Sequence, residues 1–364
     1  MPELWIPYGN VETLVSLQAE NLGDVADPKT EPFSPDLSGI QELVRQASAV
    51  FVGDSIPATS ALLKGISESL GPNLKIFSPT PKRIEAAVPE IKGRLVTLPP
   101  PISEEQDGGL TYSPELKEKG SKVFVGSARP DPLYGILDTK VQTCLDWVAG
   151  SRSASFKARK GMEPAPFRKT EAYDTMEEVV EEIPDATFVT SIPRGGKLKT
   201  ALVGAPFDAI KNSFAKTPMS TTKGIIVGVG GRGYDDTLSS AIRGVWNVTD
   251  AVKKTGSILL IAECSEGVGS TALEMLVTGR LSEGEKQKPK NVEGIEEVFY
   301  LSKLKDEYDV LLLSGLPETY SRAKLGFTTA KGSGEAVGRI LNKVGRSGKL
   351  NVVPRAAEHV IESG

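Results

Sequence analysis

Histidine is what this chain most conspicuously lacks: one copy, His359, in 364 residues. Imidazole is the usual side-chain base near neutral pH and the commonest transition-metal ligand. A single copy near the end of the chain rules out a multi-histidine metal site and leaves almost no room for a Ser-His-Asp triad, so carboxylates, lysines or an organic cofactor must carry any chemistry. His359 follows an expected last strand at 349–354 and is expected to be exposed. Cysteine is almost as scarce. Cys144 and Cys264 have no ligand-spaced partners, which excludes a disulfide framework and suits a reducing cytoplasm. No apolar run approaches the roughly 20 residues of a membrane span. The first ten residues pass into Glu12 and polar sequence, unlike the apolar core of a secretory leader. Positive charge is not in excess either. The net charge is −4 and the pI near 5.5, so neither nucleic acid nor membrane is an expected partner. A local basic run over 152–169 reads as a solvated loop face.

What is present is the balance of an ordinary globular chain, with 39% hydrophobic and 25% charged residues, long enough for two domains that each bury a core. Short apolar, β-branched runs bounded by turn residues lie at 49–53, 74–78, 122–126, 187–191, 223–229, 257–263, 298–301 and 309–314. Such runs read as buried strands. Helix-period segments fall between many of them, as at 59–70 and at 238–253, where Leu238, Ile242, Val245, Val248 and Val252 share a stripe. This alternation predicts an α/β fold with mostly parallel sheets flanked by helices. The domains are expected at 1–205 and 206–364 with a cleft between them; Pro206 starts a helix near the junction. Loops are expected at 98–120 and 282–291. Trp5, Trp147 and Trp246 are expected to pack in the core or at an interface.

The richest segment runs from Gly224 through Gly228, Gly230, Gly231 and Gly233 to Asp235 and Asp236. A buried strand that enters glycines and then a helix is a physical recipe for an anion site, because backbone N–H groups at a helix start attract negative charge. Gly228, Gly230 and Gly233 match G-x-G-x-x-G, a weak dinucleotide fingerprint alone. The plainer alternative is a tight turn with Asp235 or Asp236 as helix N-cap. The segment 257–269 repeats the logic, with Glu263 and Glu266 as candidate acid or base groups beside Gly267. Against this, Glu266 could cap the next helix and Cys264 could be a small buried hydrophobe. Arg129 and Asp131, just after the run 122–126, are expected to reach the mouth of the cleft.

The order of these two segments resembles the C-terminal part of the nickel-dependent lactate racemase family. Gly230 and Gly231 match the family's glycine pair, Gly233 stands for its proline, and Asp235 matches its aspartate. Ser239 and Ser240 replace a Tyr-Gln pair, and Arg243 replaces a lysine. In the first half, Gly53-Asp54-Ser55-Ile56-Pro57 is a partial counterpart of Asp-His-Thr-Arg-Pro: Asp54 is kept, the arginine is not. The family's second histidine motif would fall at 77–81 and its nickel-ligating histidine at 151–156, and neither is present. Lys140 is the nearest match to the cofactor-bearing lysine.

The resemblance implies a racemase-like fold that acts on or binds a small anionic 2-hydroxy acid. Asp54, Lys140 and Glu263 would be the catalytic candidates. Gly230, Gly231, Asp235, Ser239, Ser240, Arg243, Glu266 and Gly267 would contact substrate, with Arg243 as a fork for carboxylate. The losses also imply that a nickel–pyridinium cofactor is not retained; no other cofactor is indicated. The alternatives are a non-catalytic binder of a small metabolite and a nucleotide-binding oxidoreductase. Self-association is left open.

Overall fold

A computed structural model of the chain describes residues 2–26, 33–101, 109–281 and 292–363. The expected loop 282–291 lies outside the described residues. The chain divides into two compact units, Lys29–Phe214 and a second built from Met1–Pro28 together with Ala215–Gly364. The division expected at 205/206 is therefore shifted to 214/215. The first residues also belong with the last, because the strand Leu22–Val25 pairs in parallel with Leu350–Val353.

In the unit Lys29–Phe214 six strands are ordered Lys197–Val203, Ala186–Arg194, Lys122–Ser127, Ala49–Val52, Lys75–Ser78 and Leu95–Thr97. All neighbours are parallel except the first pair. Successive strand residues face opposite sides. Val50, Val52, Ile76, Val123, Val125 and Val189 accordingly enter one core with Ile40, Val44, Leu62, Leu63 and Ile66 of the helices Ser38–Gln46 and Pro57–Ile66. The intervening positions carry phenylalanine on four adjacent strands. Phe77, Phe51, Phe124 and Phe188 stack in register, with centroid separations of 5.0, 4.7 and 5.1 Å. Trp147, at the end of the helix Thr139–Trp147, meets Phe51 edge-on at 5.3 Å. Such pairs add about 0.5–1.5 kcal/mol each beyond burial.

The other unit holds a six-stranded, all-parallel sheet ordered Thr328–Thr329, Asp309–Leu313, Val252–Ile261, Thr222–Gly228, Leu350–Val353 and Leu22–Val25. The hairpin Glu3–Tyr8 and Val11–Ser16 lays Ile6 and Val15 into its core against Ile226, Leu259 and Ile261. Among the described residues no helix is long and apolar enough to cross a membrane.

Several local expectations change. Residues 298–301 lie inside the helix Ile295–Glu307; four apolar residues in a row carry no period of their own, and the flanking charged turns extend the helix. The helix at 238–253 stops at Trp246, and Val252 opens a strand. His359 is buried, 2% exposed, at the head of the strand His359–Ser363, with Nδ1 2.8 Å from Thr217 Oγ1. Trp147 and Trp246 are core residues, but Trp5 on the hairpin is 54% exposed. Both cysteines are buried and free.

Candidate functional site

The strands Thr222–Gly228 and Val252–Ile261 are parallel neighbours with Gly228 opposite Ile261. Their glycine-bearing loops therefore emerge side by side at the carboxyl ends, where ligands of open α/β sheets bind. The space between them is filled from within the unit by the hairpin turn at Gly9. Asp235 Oδ2 accepts from the Gly9 amide at 2.9 Å and from the Glu263 amide at 3.3 Å. A β-carbon at Gly9 would fall onto the Glu263 carboxylate, and one at Gly231 would press on the Gly9 carbonyl. The loop amides that would cradle an anion are engaged. Arg232 N–H donates to Gly9 O, those of Tyr234 and Asp235 donate to Gly231 O, and that of Gly233 donates to Asp236 Oδ1. This removes the support for a dinucleotide reading of Gly228, Gly230 and Gly233.

The junction is acidic as well as full. Asp235 is wholly buried, its Oδ1 has no hydrogen-bond partner, and burial raises its pKa above the ordinary carboxylate value. Burial, reinforced by Cys264, Glu263 and Asp235, pushes the Tyr8 phenol up to about 12. Glu263 Oε2 accepts from Ser265 Oγ at 3.0 Å. The N-cap of the helix Leu238–Trp246 is Thr237, not Asp235 or Asp236. Its side chain accepts from the Ser240 amide at 3.2 Å. The next helix is capped by Ser270 and not by Glu266; Glu266 is exposed and its amide donates to Asp236 O, while Leu238 N–H closes onto Gly267 O. Ser239 is buried, close beside Gly269. Arg243, expected as an open fork for a ligand, forms a buried ion pair with Glu297 at 2.8 Å. A site welcoming negative charge is thus not what these residues build.

In the unit Lys29–Phe214 the strand ends hold a different cluster. Asp54 is 9% exposed; its Oδ1 accepts from the Ile56 amide, and its Oδ2 from the Ser127 amide and hydroxyl at 2.8 and 2.9 Å. The kept aspartate thus clasps two neighbouring strand ends and holds the Ile56 amide just before the helix Pro57–Ile66. Lys140 Nζ is bound to Glu177 Oε1 at 2.7 Å. Burial opposes ionisation of Glu177, but Lys140 and Lys169 outweigh it and hold the carboxyl below its ordinary value.

Beside Asp54 runs a chain that the sequence reading did not single out beyond Arg129. Arg129 Nη2 donates to Gln142 Oε1 at 3.4 Å, and Gln142 Nε2 donates to both Asp146 oxygens at 3.0 and 2.9 Å. Burial pushes Asp146 up to about 7; the Gln142 amide and Arg129 pull it down, and the Asp54 carboxylate pushes it further up. Gly53 is required here, since a β-carbon would strike the Gln142 side chain. The spacing of Gln142 and Asp146, one helical turn apart, was the available signal.

The residues do not fit a nickel–pyridinium group. The single imidazole is committed to Thr217, the Lys140 amine is held by Glu177, and no group of three or more His, Cys, Asp or Glu side chains among the described residues could hold a metal ion.

The architecture is that of an α/β protein with two compact units and mostly parallel sheets. The solved apoprotein of lactate racemase from Thermoanaerobacterium thermosaccharolyticum has a similar fold, with a TM-score of 0.70 over 99% of this chain and 100% of that one, at 17% identity. No family model and no curated protein matches the sequence.

Proposed function

We propose that this protein binds a small anionic 2-hydroxy acid on a lactate-racemase-like fold, without nickel–histidine chemistry. The likeness in fold over nearly the whole chain supports the ligand class. The observation that carries the departure from racemase chemistry is the placement of the only imidazole. His359 is buried in the strand pair Ala215–Met219 and His359–Ser363, not on a strand-end loop of either six-stranded sheet. Proton exchange by a positioned base typically contributes ~10²–10⁴ in rate, and no histidine stands where it could supply it. The ligand sits at the carboxyl ends of the strands in the unit Lys29–Phe214. Asp54 orders that edge and Arg129 contributes a cation. The loops around Gly230, Gly231, Asp235 and Glu263 serve as framework.

The test is calorimetric titration of the purified chain with L- and D-lactate, together with chiral chromatography of the same mixtures after long incubation. Binding with an unchanged enantiomer ratio is expected. Interconversion of the enantiomers would favour the second reading, a divergent racemase or epimerase, which the fold alone supports. No binding of either enantiomer would overturn the proposal.

A further inference from the structure

We infer that Arg129, Gln142 and Asp146 form a proton-coupled site for a small carboxylate, in which Asp146 takes up one proton as the anion enters and Arg129 faces the ligand's carboxylate. This deepens the reading above and rests on it.

The geometry begins with the helix Thr139–Trp147, whose N-cap Asp138 accepts from the Val141 amide. The helix places Gln142 and Asp146 on one face, four residues apart, toward the end of the strand Ala49–Val52. At that end Gly53 leaves room for them, and the Asp146 carboxylate lies against the space a side chain would take. Arg129 follows the neighbouring strand Lys122–Ser127. Arg129, Gln142 and Asp146 are each partly exposed as residues, whereas Asp54 beside them is buried.

The charges acting on Asp146 come from both flanking strand ends: Asp54 repels and Arg129 attracts. On its own helix, Cys144 is buried, with its thiol raised well above its ordinary value by burial and then by Asp138 and Asp146, so it adds no thiolate. Lys140 is turned to Glu177 on the helix Glu171–Glu181.

An anion arriving at Arg129 would meet two carboxylates, Asp54 and Asp146. Asp54 is committed to three donors. Asp146 is held by the Gln142 amide, and protonation removes one of the two repulsions and turns an acceptor into an O–H donor for a ligand oxygen. A carboxyl that ionises near neutrality can act in this way where an ordinary aspartate cannot.

The experiment is isothermal titration of the full chain with L-lactate, D-lactate and acetate between pH 5.5 and 8.5. It is repeated in buffers of different ionisation enthalpy to count protons. The wild type should take up close to one proton per ligand at pH 8. Its affinity should fall toward tenfold per pH unit above about 7, the limit for one linked proton. Asp146→Asn should bind with no proton uptake and an affinity flat over this window. Arg129→Ala should lose at least tenfold at every pH, and Arg129→Lys should recover part of it. Thermal melts of each variant separate loss of the site from loss of the fold. As a readout independent of ligand, carboxyl carbon NMR of wild type against Asp146→Asn should assign one aspartate titrating near neutrality. If lactate binds but is indifferent to pH and to both substitutions, or the Asp146 carboxyl titrates as an ordinary aspartate, this site is overturned while the broader reading stands. If no hydroxy acid or acetate binds at any pH, both fall together.

Discussion

At Asp54 three donors converge on one carboxylate. Asp54→Ala leaves the Ser127 and Ile56 amides unpaired beneath the surface, and hydrogen bonds to charged groups are worth about 1.5–3 kcal/mol each. Urea unfolding of Asp54→Ala should show a loss of at least that size; a side chain reserved for chemistry would leave the midpoint unchanged. Arg243→Ala breaks the buried ion pair with Glu297, for which about 3–5 kcal/mol is the usual cost. A large fall in Tm is therefore expected, and an unshifted Tm with weakened anion binding would restore Arg243 to a ligand role. Asp146 makes a prediction of opposite kind. Its pKa in the folded chain, about 7, lies above the unfolded value of about 3.9. The folded state therefore holds the extra proton between those values, and stability declines as pH rises from about 4 to 7. Asp146→Asn should flatten that decline, as read from unfolding midpoints across the same range.

The ladder Phe77–Phe51–Phe124–Phe188 ties four strands through side chains at matching register. Phe124 sits between Phe51 and Phe188 and is wholly buried. Phe124→Ala should cost about 3–5 kcal/mol and Phe124→Leu distinctly less, measured by denaturant unfolding. Equal losses would mean that the ring's stacking, absent from both variants, outweighs the volume that leucine retains. The four central strands of this sheet were legible because each is a short apolar run bounded by turn residues; the edge strands Leu95–Thr97 and Lys197–Val203 were not, being short or alternating with charge. The run 298–301 looked the same but joined a helix, since four apolar residues fit either geometry and tertiary packing chose. The helix from Leu238 was overextended for a related reason. The stripe through Val248 and Val252 keeps its period, yet the chain turns through Thr249–Ala251 into the strand Val252–Ile261.

Across the whole molecule, Met1–Pro28 folds with Ala215–Gly364, whereas Lys29–Phe214 is continuous. A polypeptide of residues 29–214 should fold cooperatively by itself. One of residues 215–364 lacks the partner strand of Leu350–Val353 and the hairpin that covers Ile226 and Leu259. An uncovered edge and apolar face promote association, so this fragment should aggregate, and addition of residues 1–28 should restore a soluble, melting species. Size-exclusion chromatography and circular dichroism check both outcomes; a stable, monomeric 215–364 fragment would contradict this account.

The amino-acid sequence by itself determined the alternating α/β plan, several of the central strands and the absence of any imidazole relay, because each depends on local period, composition or a simple count. It also marked Gly230, Gly231, Asp235 and Glu263 as lying at strand ends, which they do. Only the tertiary structure decided what those residues serve. Whether an aspartate meets a ligand or its own backbone depends on which distant segment arrives beside it. Here the turn at Gly9 reaches Asp235, separated from it by 226 positions, and Glu297 reaches Arg243. The same long-range pairing brings Asp54, Arg129 and Asp146 to one edge, a meeting that no spacing along the chain could announce.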